Sequence, residues 1–551
     1  MNGAQALMRT LVDAGIEVCF SNPGTSEMHF VAALDDEPKM RAVLALFEGV
    51  ATGAADGYAR MADKPAAVLL HLGVGLGNGM ANLHNARKGK VPVVNIVGDH
   101  ALDHMQYNAQ LQSDIETVAR NVSPNFVRTS QSTAELPQDT VDAIVAARGL
   151  PGQVATLILP ADVSWGEGGV PAQVPPQPEL QVASQEQIDE AVAAIKKGKK
   201  VALLLGGRAL REPSLMAAAK IAEHSGVKLF HETFPTRLER GVGMPAPEKI
   251  AYLAELVSVQ LADIDHLILV DSKAPVSFFA YPGKKSYLVP DSCEVHTLST
   301  EEQDAHGSLK KLMNALGAEN TAPKLQKANR PPSPKGKLTA DKVSQAMGHY
   351  LPENAILIDE AITSGLLLQS MTAGCPRHDY ITLTGGGIGQ GLPNAVGAAI
   401  ACPDRPVFAL IGDGTSMYTI QSLWSMAHEE LDVTVVIFNN ASYSVLNIEL
   451  ERVGAEKIGE KALSQLDLNG PVINFSQLAQ SMGVHGTRVS TAEEMNKALE
   501  YATSHKGPHL IEAMVPEAVG GLKRKVLPWV LRSTSHLPLS VSRALKKKVA
   551  P

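Results

Sequence analysis

Val407-Phe408-Ala409-Leu410-Ile411-Gly412-Asp413-Gly414-Thr415 opens the stretch that decides the fold, and Val433 to Phe438 followed by Asn439-Asn440-Ala441-Ser442 closes it. Both apolar runs have strand length and β-branched content, so each reads as a buried strand. The first breaks at Gly-Asp-Gly, where small residues let backbone N–H groups approach an anion closely. The interval between Asp413 and Asn440 holds one crossover helix, as neighbouring parallel strands require. Both strand ends then share one sheet edge, where ligands of open α/β sheets bind. An Asp carboxylate, an Asn amide oxygen and a backbone carbonyl are hard oxygen ligands that suit Mg²⁺ bridged to phosphate oxygens. The stretch predicts a Mg-diphosphate clamp.

Outward from it, the chain has 551 residues, too many for one core. It is 45% hydrophobic and 19% charged, as an ordinary globular enzyme is, and its net charge of −8 argues against a nucleic-acid partner. The cysteines Cys19, Cys293, Cys375 and Cys402 lie far apart without metal-ligand spacing, which fits a reducing cytoplasm. Met1 to Leu11 lacks the charge and apolar pattern of a signal peptide, and no apolar run is long enough to cross a membrane.

Residues 1–165 alternate helix and strand. Ala4 to Ala14 is an amphipathic helix, and strands are expected at Ile16 to Phe20, Ala42 to Leu46, Ala66 to Leu70, Val91 to Val97 and Val154 to Ile158. Gly49 to Ala59 is a small-residue helix, and Gly73, Gly75, Gly77 and Gly79 read as a glycine-rich turn after His71. A Gly/Pro-rich linker covers 166–184. A second α/β unit, 185–320, has strands at Lys200 to Leu205, Val227 to Phe230 and His266 to Val270. A Pro-rich linker leads to a third unit, 338–520, with strands at Ala355 to Ile358 and His509 to Met514 beside the opening pair. The layout predicts three doubly wound α/β domains with mainly parallel sheets. Residues 521–551 form a basic tail: Leu522 to Pro551 has eight Lys or Arg and no acid, with Leu527, Trp529, Val530 and Leu531 interleaved. Such a tail either contacts an anionic membrane surface or packs on the acidic body.

Gly-Asp-Gly, a helix and an apolar strand ending in Asn-Asn together resemble the thiamine diphosphate (ThDP) motif of the pyruvate oxidase, acetolactate synthase and benzoylformate decarboxylase superfamily. The three-unit layout extends that resemblance over nearly the whole chain. It implies ThDP and Mg²⁺ as cofactors, with Asp413, Asn440 and the Ser442 carbonyl on the metal. Thr363, Ser364, Gly412, Gly414, Thr415 and Tyr418 would then lie along the diphosphate. Tyr443, Val445 and Leu446 would line the cofactor and the substrate pocket beside it. Gly387 and Ile388, in Gly385-Gly386-Gly387-Ile388-Gly389, would hold the cofactor bent, with Ile388 as the apolar prop.

Leu46-Phe47-Glu48-Gly49 with Ala55-Asp56-Gly57-Tyr58-Ala59-Arg60 is similar to the family's glutamate segment. The resemblance implies that Glu48 shares a proton with the pyrimidine ring and so drives formation of the C2 carbanion, with decarboxylation through an enamine. Leu70-His71-Leu72-Gly73-Val74-Gly75-Leu76-Gly77-Asn78 resembles the stretch carrying an active-site His in benzoylformate decarboxylase. His71 is therefore the candidate proton carrier, with Asn78 on the cofactor. Thr25, in Asn22-Pro23-Gly24-Thr25-Ser26-Glu27, matches a substrate-contacting Ser, and Ser26 is expected to cap the next helix. Phe47, Gln110 and Gln112 are candidate substrate-pocket residues.

The chain also departs from each subfamily. Pro275-Val276-Ser277-Phe278-Phe279-Ala280-Tyr281-Pro282-Gly283 lacks the second catalytic His of benzoylformate decarboxylase. Phe47 and Gly49 replace the His and Gln that flank the glutamate in acetolactate synthases. His100 and His104 are not the adjacent pair of pyruvate decarboxylases. Gly206-Gly207-Arg208 is too little for a flavin fingerprint, so FAD is not expected. The expected activity is decarboxylation or carboligation of a 2-oxo acid by a homodimer or dimer of dimers, with sites shared between chains. Other readings are a flavin- or nucleotide-dependent oxidoreductase of the pyruvate oxidase type and a catalytically silent ThDP-fold protein.

Overall fold

The computed structural model describes residues 1–197, 200–453, 459–517 and 539–549. Three sheets form. The first joins β1 (Val18–Asn22), β2 (Arg41–Leu44), β3 (Ala66–Leu70), β4 (Val93–Asp99), β5 (Val127–Thr129) and β6 (Val154–Pro160) in the order β2-β1-β3-β4-β6-β5, all parallel. The middle chain segment adds β7 (Val201–Leu205), β8 (Lys228–His231), β9 (Leu238–Arg240), β10 (Glu248–Lys249), β11 (His266–Val270) and β12 (Glu294–Ser299). Five of these make a parallel sheet in the order β10-β8-β7-β11-β12. The third sheet contains β13 (Ala355–Glu360), β14 (His378–Thr382), β15 (Val407–Gly412), β16 (Val433–Asn439), β17 (His485–Val489) and β18 (His509–Met514). Its order is β17-β18-β16-β15-β13-β14-β9, and β9 enters it antiparallel at the edge.

The winding of the sheets reverses between β1 and β3, between β7 and β11, and between β13 and β15. Crevices at the carboxyl ends of such switch points are where open α/β sheets bind ligands. The first collects residues 22–27 and His71, the second Gly206–Arg208 and Asp271, and the third Glu360–Ser364 and Asp413. The opening pair behaves as expected, with Val407 to Gly412 running parallel to Val433 to Phe438.

The first and third sheets share one apolar core. Its seam is helix Glu48–Ala62 crossed by helix Gly391–Ala401. The small residues read in the sequence are there for this approach. A Cβ on Gly57 would stand 2.3 Å from the Asn394 carbonyl oxygen, and one on Gly397 1.9 Å from that of Ala54. Buried Asp56 and Arg60 form an ion pair one helical turn apart. Arg60 also donates to the carbonyls of Thr236 (3.1 Å) and Thr382 (2.9 Å), and Gln390 donates to Asp56. The Ala-Asp-Gly-Tyr-Ala-Arg run is thus a stitch between segments. Removing one partner of such a buried pair costs about 3–5 kcal/mol.

Two local expectations are corrected. Gly73, Gly75, Gly77 and Gly79 are no turn: they lie within helix Leu72–Lys88. Glycine weakens a helix, but tertiary contact compensates, since a Cβ on Gly79 would meet Thr52 at 2.8 Å. Ser26 is not a cap. Residues Thr25–Glu27 form a short 3₁₀ turn headed by Gly24, whose N–H donates to Glu27 at 2.7 Å.

In the tail, Lys523 to Arg532 lie outside the described residues, as do Pro538 and the side chains of Lys546, Lys547 and Lys548. Helix Leu539–Val549 packs on helix Ala254–Leu261 of the middle segment, with Arg543 paired to Asp263 and Ser542 buried. Among the described residues no helix is long and apolar enough to cross a membrane.

Candidate active site

At the β13/β15 switch point, Gly412 heads a short helix, Asp413–Ser416. Asp413 Oδ1 accepts from the Gly414 N–H at 2.8 Å, and Oδ2 accepts from those of Asn440 (3.0 Å) and Ala441 (2.6 Å). Burial pushes its pKa up against these bonds, and no cationic side chain pairs with it among the described residues. A buried carboxylate served only by amides is the kind of donor a divalent cation completes. Asn440 lies beside it; its amide nitrogen faces Ser364 Oγ at 3.4 Å and its oxygen accepts from the Ser442 N–H at 2.9 Å. The bonds that pin this turn use the Ala441 carbonyl and the Tyr443 amide, not the Ser442 carbonyl. These residues therefore fit a Mg²⁺–diphosphate group. Thr415 is buried and Tyr418 exposed on the turn after Gly-Asp-Gly, where hydroxyls and amides would meet phosphate. The Tyr443 ring lies over Gly414, where a Cβ would clash at 2.4 Å. Val445 and Leu446 follow on helix Ser444–Arg452, the latter exposed. Thr363 is half-buried next to Ser364.

The Gly385–Gly389 loop is held from below by Glu360, which the sequence reading passed over. Its carboxylate accepts from the N–H groups of Gly389 (2.7 Å), Gln390 (3.1 Å) and Gly391 (2.6 Å). Full burial still pushes it up to about 7. From the other side Asn85 Nδ2 donates to the Gly387 carbonyl at 2.7 Å and Asn82 Nδ2 to that of Gly389 at 3.2 Å. Ile388 is half-buried between these anchors.

At the β1/β3 switch point, Glu48 starts helix Glu48–Ala62, where the helix dipole favours a carboxylate. It accepts from Asn78 Nδ2 at 3.0 Å. Phe47 folds back, its ring 2.4 Å from where a Gly49 Cβ would stand. His71 caps helix Leu72–Lys88, and its Nδ1 meets Glu27 Oε2 at 2.8 Å. Glu27 is completely buried, pressed against Gly98, and its charge helps burial raise the pKa of Asp99. With the proton on Nδ1, His71 presents Nε2 to the crevice. Gly24 also leaves room for the ring: a Cβ there would stand 2.3 Å from Nδ1. Thr25 is exposed at the mouth. Gln110 is exposed and Gln112 half-buried on the loop whose Ser113 abuts Gly73.

Glu27 was missed by sequence reasoning; an acid three residues after Gly24 was its only signal. Asn82 was missed too. It bridges the two clusters by donating to the carbonyls of Gly49 (2.7 Å) and Gly389 (3.2 Å). Among the described residues no hydrogen bond joins Glu48 directly to Asp413.

The middle switch point reads differently. A cavity of about 1210 Å³ opens there between the first and middle segments, lined by Lys90, Arg208, Glu232, Phe234, Asp271 and Phe278 among others. Its strand-end amides are already occupied: Gly207 N–H donates to Glu232 at 2.9 Å and Arg208 N–H to Asp271 at 2.8 Å. Burial pushes Glu232 up to about 7. Carboxylates stand where a dinucleotide would place its phosphates, which disfavours the flavin reading.

Residues 1–119 match the family model of the thiamine pyrophosphate enzyme N-terminal TPP binding domain, and residues 365–513 that of the C-terminal TPP binding domain. A Mycobacterium tuberculosis (strain H37Rv) protein provisionally named acetolactate synthase large subunit IlvX is 53% identical over 526 residues, covering 94% of this chain and 100% of that protein. Benzoylformate decarboxylase of Pseudomonas aeruginosa is 28% identical over 529 residues, covering 90% of this chain and 96% of its own. Among solved structures, the thiamine diphosphate-dependent 4-hydroxybenzoylformate decarboxylase of Rhodococcus jostii RHA1 superposes with a TM-score of 0.82 at 23% identity, covering 94% and 99% of the two chains. That likeness speaks for the fold.

Proposed function

This chain belongs to the thiamine pyrophosphate enzyme family, and we propose from that premise that its site decarboxylates a 2-oxo acid and delivers the resulting carbanion equivalent to a proton or to a second carbonyl. ThDP, when bound, supplies the carbanion nucleophile and the electron sink. Asp413, Asn440 and the Ser442 carbonyl would hold Mg²⁺ and, with Thr363, Ser364, Thr415 and Tyr418, the diphosphate. The Gly387 backbone and Ile388 orient the cofactor rings. Glu48, steadied by Asn78, holds a proton at the pyrimidine nitrogen. His71, fixed through Nδ1, gives or takes a proton at Nε2 beside the reacting carbonyl. Thr25, Phe47, Gln110 and Gln112 shape the substrate end, with Val445 and Leu446 opposite.

The observation that carries this reading is the Glu27–His71 pair at the switch point that also holds Glu48. A scaffold without chemistry has no use for a buried carboxylate that orients a half-exposed imidazole. A panel of 2-oxo acids from pyruvate to benzoylformate, read for CO₂ release and acyloin product together, tests it. Release of CO₂ from one member, abolished in Glu48→Gln, is the expected result. No turnover across the panel by ThDP- and Mg²⁺-loaded protein would overturn it.

Residues 1–165, 185–320 and 338–520 are the units we assign, with two or four chains assembled so that Glu48 of one faces Asp413 of another. The exposed apolar side chains Leu46, Val74, Tyr418 and Leu446 border the two clusters and suit such an interface. Four unpaired cysteines fit a cytoplasmic setting. The tail we read as packing on the body rather than on a membrane, from the Arg543–Asp263 pair.

A further inference from the structure

Away from the candidate active site, two histidines and a carboxylate converge on the edge of the middle sheet. β11 and β12 pair with His266 opposite Glu294 and Ile268 opposite His296. Alternation along a strand puts His266, Glu294 and His296 on one face. His266 Nδ1 lies 3.1 Å from His296 Nε2 and 3.3 Å from Glu294 Oε2, and Glu294 Oε2 lies 3.9 Å from His296 Nε2. The three donor atoms fall within 4.8 Å of one another. His266 is buried, His296 half-buried and Glu294 open to solvent, so the cluster has a rigid floor and an entry path. Lys197 Nζ approaches Glu294 at 3.6 Å from outside.

We propose that His266, His296 and Glu294 form a divalent transition-metal site of the zinc class, which clips edge strand β12 to β11. Ligands at about 2.0–2.2 Å in a tetrahedron stand roughly 3.3 Å apart. Two of the three separations already match, and a small turn of the exposed Glu294 closes the third. Two imidazoles and one carboxylate, with water in the fourth position, suit Zn²⁺; Mg²⁺ prefers oxygen. The site lies at the amino ends of the strands, opposite the edge where the switch-point crevices open, so the metal acts on structure and not on turnover. The alternative, a plain His–His–Glu hydrogen-bond triad, holds no metal.

The test uses full-length protein loaded with ThDP and excess Mg²⁺, dialysed against micromolar free Zn²⁺ and assayed by elemental analysis, with Co²⁺ as a visible-absorption probe. One Zn²⁺ per chain is expected, with the Co²⁺ spectrum of a four-coordinate N/O site. His296→Gln should weaken binding at least 100-fold and Glu294→Gln about 10-fold, and Zn²⁺ should raise the melting temperature of the parent but of neither variant. Should His296→Gln misfold, the solvent-exposed Glu294→Gln carries the comparison. Absence of stoichiometric zinc in the parent, or equal retention in folded variants, would overturn the site.

Discussion

Gly397→Ala should damage both stability and catalysis, through one displacement. The new Cβ would stand 1.9 Å from the Ala54 carbonyl oxygen and 2.4 Å from the Tyr58 nitrogen. Both are backbone atoms of a buried helix, so no side chain can swing aside. To reach an ordinary contact of about 3.4 Å, helix Gly391–Ala401 must back away from helix Glu48–Ala62 by roughly 1.5 Å. Overpacking of this kind costs about 1–3 kcal/mol, and a gap of that size along the seam forfeits a quarter to a half of each dispersion contact it opens. The upper end, about 3 kcal/mol, corresponds to a fall of roughly 6–12 °C for units of this size. The same retreat stretches the Asn82 bridge, now 2.7 Å to Gly49 and 3.2 Å to Gly389, and so displaces both the loop that carries Ile388 and the start of the Glu48 helix. A misplacement near 1 Å costs about 100-fold in rate. Differential scanning fluorimetry and decarboxylation kinetics on ThDP-loaded protein read the two effects. Gly149→Ala, where a Cβ meets nothing closer than 3.4 Å and φ is −58°, is the control. A Gly397→Ala protein melting within a degree of its parent, with parental turnover, would refute the seam as the coupling element.

Three further outcomes follow from the same geometry. Glu360 is held up near 7 in the fold against 4.5 for its free carboxyl, so its contribution to stability is complete below about pH 4.5 and is lost as pH rises through 7. Glu360→Gln should flatten that slope, worth about 3 kcal/mol at 1.36 kcal/mol per unit, as seen in melting temperature between pH 5 and 8; an unchanged slope contradicts the assignment. Glu27→Gln should lower kcat/KM about 10–100-fold with ThDP affinity unchanged, measured by steady-state kinetics and cofactor titration, because Glu27 holds His71 and the Gly24 turn but touches neither Glu48 nor the Asp413 cluster. If sites form between chains, mixing inactive Glu48→Gln and Asp413→Asn chains should restore about a quarter of parental activity, since half of the random dimers carry one intact site; no recovery after verified exchange places both clusters within one chain.

The parts of this fold that the sequence displays are those whose reason is local. Ala66–Leu70, His266–Val270 and His509–Met514 are strands with the expected limits because each is an uninterrupted buried run. Strand β9, Leu-Glu-Arg, has no pattern of its own; it is a strand because β14 offers an edge. Strand β12 alternates Glu, Val, His, Thr, Leu and Ser, as a half-wet edge does, and resembles a loop until β11 is beside it. The Gly73–Gly79 segment misleads for the converse reason. Its glycines argue against a helix locally, yet Ser113, Glu48 and Thr52 crowd the places where side chains would stand. The candidate site divides in the same way. Asp413 and Asn440 announce themselves by strand ends and spacing, and Glu48 and His71 by the family resemblance of the runs around them, whereas Glu27 and Glu360 look like solvated acids until burial and their partners are known.

Three residues with positive φ connect the two clusters in kind. Leu72 (φ 49°) follows His71, Ile362 (φ 51°) precedes Thr363, and Ala441 (φ 53°) lies between Asn440 and Ser442. Glycine would take these angles freely, whereas side chains with a Cβ do so at a cost of about 1–3 kcal/mol each. Such strain persists only where the surroundings over-determine the backbone, and here they do. Leu72 is buried in the shared core, and Ala441 is gripped by the Asp413 carboxylate through its N–H and by Leu468 through its carbonyl. What the strain secures is aim. It turns the His71 ring back onto Glu27, and the amide and carbonyl groups around Asn440 and Ser442 towards Asp413. Glycine at any of the three would relieve the angle and leave the neighbouring donor free to wander. The same residue type that serves the helix seam at Gly57 and Gly397 by being small would therefore loosen these three turns by being flexible.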